Sequence, residues 1–105
     1  MNAEEQIRLV KKAVKGDPDA YGRLIAEHQE YLYKMAYLYV RNEDTALDVV
    51  GSTMLSAYQS IHTLKEPEYF KTWITRILIR AAQSEQKKIV FYSDLDHVKV
   101  PERYT

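Results

Sequence analysis

Three features of the sequence predict an all-α fold, a compact four-helix bundle. Apolar residues recur at steps of three and four through four successive segments, the period of one face of an α-helix. Helix-start residues stand ahead of these segments: Asn2, Asp17 and Asp44 as caps, and Pro67 as an opening residue. The 105 residues hold only three Gly and three Pro, and no repeat, low-complexity tract or Gly/Ser linker interrupts the four segments. Short connections of this kind favour antiparallel or steeply crossed helix neighbours.

The first helix is expected near residues 3–15, with Asn2 and Glu5 forming a capping-box-like start and Ile7, Val10 and Val14 on one face. Gly16 ends it. Asp17 then caps a second helix, near 18–41, with Pro18 at the first position, where a missing N–H costs nothing. Its stripe is Tyr21, Leu24, Ile25, His28, Leu32, Met35, Ala36 and Tyr39. Asn42 suits the left-handed residue after that helix, and Asp44 the cap of a third, near 44–61, with Ala46, Val49, Val50, Thr53, Met54, Ala57 and Ile61 inward. After a connection from His62 to Glu66, Pro67 opens a fourth helix, expected to run to about residue 89, where the β-branched and aromatic IVFY breaks the pattern. Its apolar face is Phe70, Trp73, Ile74, Ile77, Leu78 and Ala81, with Phe70 and Trp73 packed on Met54, Val50 and Leu32. A fully buried Trp73 implies a cost of about 3–5 kcal/mol for Trp73→Ala. The domain is placed at residues 1–92, and 93–105, poor in apolar residues and without a period, is read as a tail or the start of a linker.

Composition removes several function classes. A formal net charge of zero argues against non-specific coating of nucleic acid and against a membrane-surface role, while permitting a local basic site. No run approaches the roughly 18 apolar residues of a membrane span, and the start MNAEEQ is acidic where a secretory signal is basic and then apolar. The expected compartment is the cytoplasm. Absence of Cys excludes disulfides, thiolate metal sites and Cys nucleophiles. His28, His62 and His97 fall in different segments without a ligand partner at helical spacing, so no metal site is expected, and His28 reads as a satisfied core histidine. Three isolated glycines make no phosphate cradle, and the carboxylates are scattered, so neither an enzyme nor a bound cofactor is expected. Tyr31, Tyr33, Tyr37 and Tyr39 suggest a stacking platform as one reading, but tyrosines on a long amphipathic helix usually pack their rings at the core edge, which is the plainer one.

What remains is a charge pattern. Between Tyr69 and Lys88 the outward positions carry Lys71, Arg76, Arg80, Lys87 and Lys88 against the single acid Glu85, a local balance of +4 in a neutral chain. A solvated face is the plain reading of any basic helix. Cations beside aromatics are also what single-stranded nucleic acid requires, the cations for phosphates and the rings for bases that have left the stack.

The stretches GDPDAYGRLIAEHQEYLYKMAYLYVRNEDTALDVVGSTMLSAYQSI and FKTWITRILIRAA resemble the N-terminal half of extracytoplasmic-function (ECF) sigma factors of the sigma-70 superfamily. The resemblance covers roughly residues 4 to 92, and rests on Gly16-Asp17, Ala46-x-Asp48, Ala57-Tyr58 and Phe70-x-x-Trp73-x-x-x-Ile77. It implies a helical bundle of the region 2 type that binds the clamp coiled coil of core RNA polymerase through its third helix. It further implies recognition and melting of the promoter −10 element, whose non-template strand the fourth helix and the loop before it capture, and an anti-sigma factor as a further partner. Carried onto this chain, His62, Thr63, Leu64 and Lys65 form the base-capturing loop, and Lys71, Thr72, Arg76 and Arg80 the strand-facing row, with Lys87 and Lys88 extending the basic face. Relatives often have Asn where Arg80 stands, so a phosphate contact is expected there.

The polymerase-facing set is Asp44, Leu47, Asp48, Gly51, Ser52 and Leu55. Relatives usually carry Glu-Asp-x-x-Gln-Glu where this chain reads Leu47-Asp48-Val49-Val50-Gly51-Ser52, which implies a weak contact. Gly51 inside a helix costs about 1 kcal/mol relative to Ala, a penalty that usually has a reason such as the close approach of another backbone. Family members also carry a second DNA-binding domain, so the chain reads as a half: an excised piece, a split subunit or a degenerate relative, in that order. The alternative function is a sigma-like interaction module that occupies a protein partner without initiating transcription, and a generic helical structural protein ranks third.

Overall fold

Side-chain caps decide where the first three helices begin. Asn2 Oδ1 accepts from the Glu5 N–H at 2.8 Å and opens α1, Ala3–Val14. Asp17 Oδ1 accepts from Asp19 and Ala20 at 3.0 and 3.2 Å and opens α2, Pro18–Val40, with Pro18 in its first turn. Between them Gly16 takes φ 103, a left-handed conformation that a Cβ disfavours, and turns the chain. The computed structural model describes the backbone of residues 1–97 and the side chains of residues 1–88.

The second junction departs from expectation. Arg41, not Asn42, is left-handed (φ 55), and Asn42 caps α3, Glu43–Ser60, accepting from the Thr45 N–H at 2.9 Å. Only two residues join α2 to α3, so the residue ending one helix adjoins the residue capping the next, and the better capping side chain takes the cap. Asp44, expected in that role, lies in the first turn, where with Glu43 it complements the positive helix end.

Two single 3₁₀ turns, Ile61–Thr63 and Pro67–Tyr69, lead to α4, Phe70–His97. Pro67 therefore opens a short turn ahead of the helix, not the helix itself, and α4 continues through IVFY well past residue 89. Ordinary residues differ in helix propensity by less than about 0.7 kcal/mol each, too little to stop an established helix that meets no Gly or Pro. Residues 93–97 of the expected tail are thus helical, while 98–105 lie outside the described residues.

α2 packs against each of the other three helices, and α3 against α4 as well. Leu24, Leu32, Phe70, Ile74 and Leu78 are fully buried at the centre. The face of α1 is rotated from the expected one, with Leu9, Val10 and Ala13 inward and Ile7 and Val14 half-buried. α4 shows a similar shift, since Phe70, Ile74, Leu78 and Ala82 are buried in steps of four, and Trp73, Ile77 and Ala81 flank them at the core edge. Trp73 is half-buried, so the cost assigned above to its truncation belongs to Phe70 instead. The Phe70 ring packs edge-on to His28 at 5.2 Å between centroids, and His28 Nδ1 donates to the Leu24 carbonyl at 2.8 Å, as a satisfied core histidine should. No helix of the described residues is long and apolar enough to cross a membrane.

Tyr21 joins α2 to α3: its hydroxyl donates to the Met54 carbonyl and its ring tilts against Tyr58 at 4.9 Å. Burial pushes its phenol from 10 up to about 12. An acid whose folded pKa is raised contributes stability that is present below its unfolded pKa and lost as pH rises through the folded value. Stability is therefore expected to fall by on the order of 2 kcal/mol more between pH 10 and 12 in the parent chain than in Tyr21→Phe. Denaturant melts of both across that window check this, and parallel pH profiles would show that Tyr21 is not the group responsible.

Candidate nucleic-acid and protein interfaces

Outward residues of α4 meet the preceding loop in a concavity of about 550 Å³. Leu64 and Trp73 supply apolar surface, Lys65 and Arg76 positive charge, and Thr63, Glu66, Tyr69 and Thr72 the remaining wall. The loop is held in place from within. Leu64 is only 9% exposed, its N–H donates to the Ile61 carbonyl at 3.0 Å, and the Thr63 hydroxyl donates to the Ser60 carbonyl at 2.6 Å. Leu64 thus anchors the loop in the core and offers the pocket only an edge, whereas Thr63 and Lys65 stand outward. His62 is exposed but does not line this pocket.

A second groove, of about 430 Å³, lies on the α2 side of the same helix. Thr72 and Arg76 line both concavities and so form the ridge between them. Beyond the ridge the Lys71 ammonium sits 4.3 Å from the centre of the Tyr31 ring, a cation–π contact worth about 0.5–1 kcal/mol at an exposed site. Thr75 donates its hydroxyl hydrogen to the Lys71 carbonyl at 2.7 Å, so in the 2.9 Å contact between Tyr31 and Thr75 the phenol is the donor. That bond fixes the ring at the groove.

Arg80 lines a third concavity with Ser56, Ser60 and Ile77, toward α3, so the expected row is not straight. Lys71 leans to the α2 flank, Arg80 to the α3 flank, and Thr72 and Arg76 hold the middle. Lys87 and Lys88 are exposed about two turns beyond Arg80, and Lys88 pairs with Glu85 at 3.4 Å. Among the described residues Lys65, Lys71, Arg76 and Arg80 enter no ion pair, which leaves their charge for a ligand. Helical periodicity alone misses Glu66, Tyr69 and Trp73 as pocket walls; it sets Tyr31 at the core edge, where the ring lies, but not beside α4. An aromatic immediately before the buried Phe70 was the available sign for Tyr69.

The other candidate surface is on α3. Asp44, Leu47, Asp48, Gly51, Ser52 and Leu55 are all exposed and share one face, opposite the buried Ala46, Val49, Val50, Thr53 and Ala57. Leu47 and Leu55 are 58% and 60% exposed, which leaves two large apolar side chains in water with Gly51 between them. A Cβ built on Gly51 meets nothing within 4 Å. Among the described residues no other backbone approaches Gly51, so the close contact expected for it is absent there. Beside this face Leu47 and Val50 share a shallow groove with Tyr33, whose ring stacks on Tyr37 at 6.4 Å. Desolvation, then the charge of Glu43, raises the Tyr33 phenol above its ordinary value.

The sigma-70 region 2 family model matches residues 24–89. The chain is 38% identical over 73 residues to the RNA polymerase sigma factor SigV of Bacillus subtilis, covering 67% of this chain and 44% of SigV. It is 30% identical over 76 residues to the ECF RNA polymerase sigma-E factor of Haemophilus influenzae, covering 72% of this chain and 40% of that protein. Among solved structures it is similar to CnrH in complex with the cytosolic domain of CnrY, with TM-score 0.70 and 25% identity over 76% of this chain and 52% of CnrH. The chain thus spans less than half the length of these curated relatives.

Proposed function

Because the chain belongs to the sigma-70 superfamily, as a region 2 domain of the ECF type, we propose that it is the part of a transcription initiation factor that binds core RNA polymerase and holds the non-template strand of the promoter −10 element. The observation that carries the reading is the pocket between the Thr63–Glu66 loop and α4, an apolar-floored cavity rimmed by Lys65 and Arg76. An unstacked base needs a cavity or an aromatic face, and the phosphates on either side of it need cations that no acid of the protein already neutralises. Leu47, Leu55 and the acids of α3 form the surface for the clamp coiled coil, and the cytoplasm is where such a domain works.

Core polymerase pull-down followed by crosslinking to non-template −10 strands tests the whole reading. The α4 part has a sharper test. Replacing Lys71, Arg76 and Arg80 by Ala is expected to lower the slope of log affinity against log salt by about 2, at about 0.7 per phosphate contact on a single strand. Duplex is expected to bind worse than single strand. Substitutions at His62, Thr63 and Lys65 are expected to change sequence preference with most of the slope retained. A triple variant with the parent slope would reduce the basic face to a solubility feature.

A second reading has its own support. CnrH, similar to this chain, was solved with the cytosolic domain of CnrY, and here Leu47, Leu55 and Tyr58 are exposed apolar side chains along α3. A protein partner of anti-sigma type would cover them, and a chain that binds such a partner but not core polymerase is an interaction module.

A further inference from the structure

We infer that the groove between α2 and α4 is a second nucleotide site, in which Tyr31 stacks one base of the strand whose neighbouring base occupies the Leu64–Trp73 pocket. The inference rests on the reading of α4 as the strand-holding helix. Three observations carry it. The groove and the pocket share Thr72 and Arg76 as a common wall, so an occupant of one continues into the other across a single ridge. The groove is lined by two cations and an aromatic ring, with no carboxylate among its walls, which suits an anionic ligand with flat, apolar units. Finally, the phenol bond to Thr75 holds the Tyr31 ring at this position without the ligand, so little is lost in ordering it.

Lys71 has a defined part in this arrangement. With no strand bound its ammonium lies over the Tyr31 ring at 4.3 Å. Stacking of a base on an aromatic side chain is stronger than a cation–π contact at an exposed site. A base entering the groove therefore takes the ammonium's place on the ring, and the displaced ammonium, still within the groove, pairs with the phosphate that links this base to the one in the pocket. Arg76 on the ridge faces the same phosphate. The ligand class is a dinucleotide step of single-stranded DNA, read by stacking and charge and not by base-edge hydrogen bonds. The groove is accordingly expected to accept any base, in contrast to the pocket.

The test uses the full chain and a short single-stranded oligonucleotide carrying 5-iodouracil at each position in turn, a base that crosslinks to stacked aromatic side chains under light. One position is expected to crosslink to Tyr69 or Trp73, and an immediately adjacent position to Tyr31, mapped by mass spectrometry of the digests. In anisotropy titrations with the same oligonucleotide, Tyr31→Leu is expected to weaken binding about fivefold to a hundredfold with the salt slope unchanged. Tyr31→Phe, which keeps the ring and loses only the bond to Thr75, is expected to stay within a few-fold of the parent chain. Crosslinks confined to Tyr69 and Trp73, with Tyr31→Leu binding as the parent does, would overturn the second site and leave the reading of α4 standing. A parent chain that neither binds nor crosslinks to the strand would overturn both.

Discussion

Phe70→Ala is expected to lower the unfolding free energy by about 3–5 kcal/mol, the largest loss from truncating any one side chain of α4 to Ala. Phe70 has no exposed surface, is the largest fully buried side chain of the core, and closes the bundle where the loop hands over to the helix. Its removal leaves a cavity bordered by His28, whose Nδ1 is already committed to the Leu24 carbonyl and so cannot swing in to fill it. Single domains are stable by only about 5–15 kcal/mol, so a large share of the margin goes. Thermal melts should show the midpoint falling by tens of degrees, at about 4–8 °C per kcal/mol for a domain of this size. Trp73→Ala, at the core edge, is expected to cost less. Melts in which Trp73→Ala proved the more damaging would reverse the assignment of faces on α4, and with it the pocket that Trp73 lines.

How that face was read shows what the sequence makes legible. Apolar spacing placed four helices, two of them starting at the expected caps, because a cap is a local event: Asn2 and Asp17 accept from N–H groups two or three residues away. It set the faces of α2 and α3 correctly and left those of α1 and α4 off by about one position, since steps of three and of four are both allowed and only the neighbours choose. In α4 the choice fell on steps of four, which carried Ala82 inward and Trp73 to the edge. The end of α4 was misread for a related reason, IVFY being a poor helical run that an existing helix tolerates.

The candidate sites divide along the same line. Every residue expected on the outer face of α3 is exposed, and of the expected DNA-facing set only Leu64 is buried, because outward position on a helix follows from the same period as inward position. Of the walls outside the expected row, Glu66, Tyr69 and Trp73 stand in the loop and on α4 itself, and only Tyr31 belongs to another helix. Tyr31 and Thr75 are 44 residues apart in the chain and 2.9 Å apart in space, a juxtaposition that no local pattern encodes. Lys71 is exposed, as its place on the outer face implies, and its position over the Tyr31 ring is a second contact between α2 and α4 that the sequence does not show.

Gly51→Gln combined with Ser52→Glu is expected to strengthen core polymerase binding by about tenfold to several hundredfold while making the domain slightly more stable. Stability should rise because Gly in a helix interior costs about 0.5–1 kcal/mol, and a Cβ at Gly51 meets none of the described residues within 4 Å. Binding should rise because relatives usually carry a Gln-Glu pair here, and a hydrogen bond to a charged group is worth roughly 1.5–3 kcal/mol in an interface. The two effects are separable, the first by thermal melts of the free domain and the second by titration against core polymerase. If melting rises and affinity rises with it, the face is a polymerase surface weakened at two positions. If melting rises and affinity for core polymerase stays level or falls, the added side chains fit this chain but obstruct what it binds. The notch at Gly51 between Leu47 and Leu55 is then shaped for a side chain of another protein, and the interaction module becomes the better account of α3.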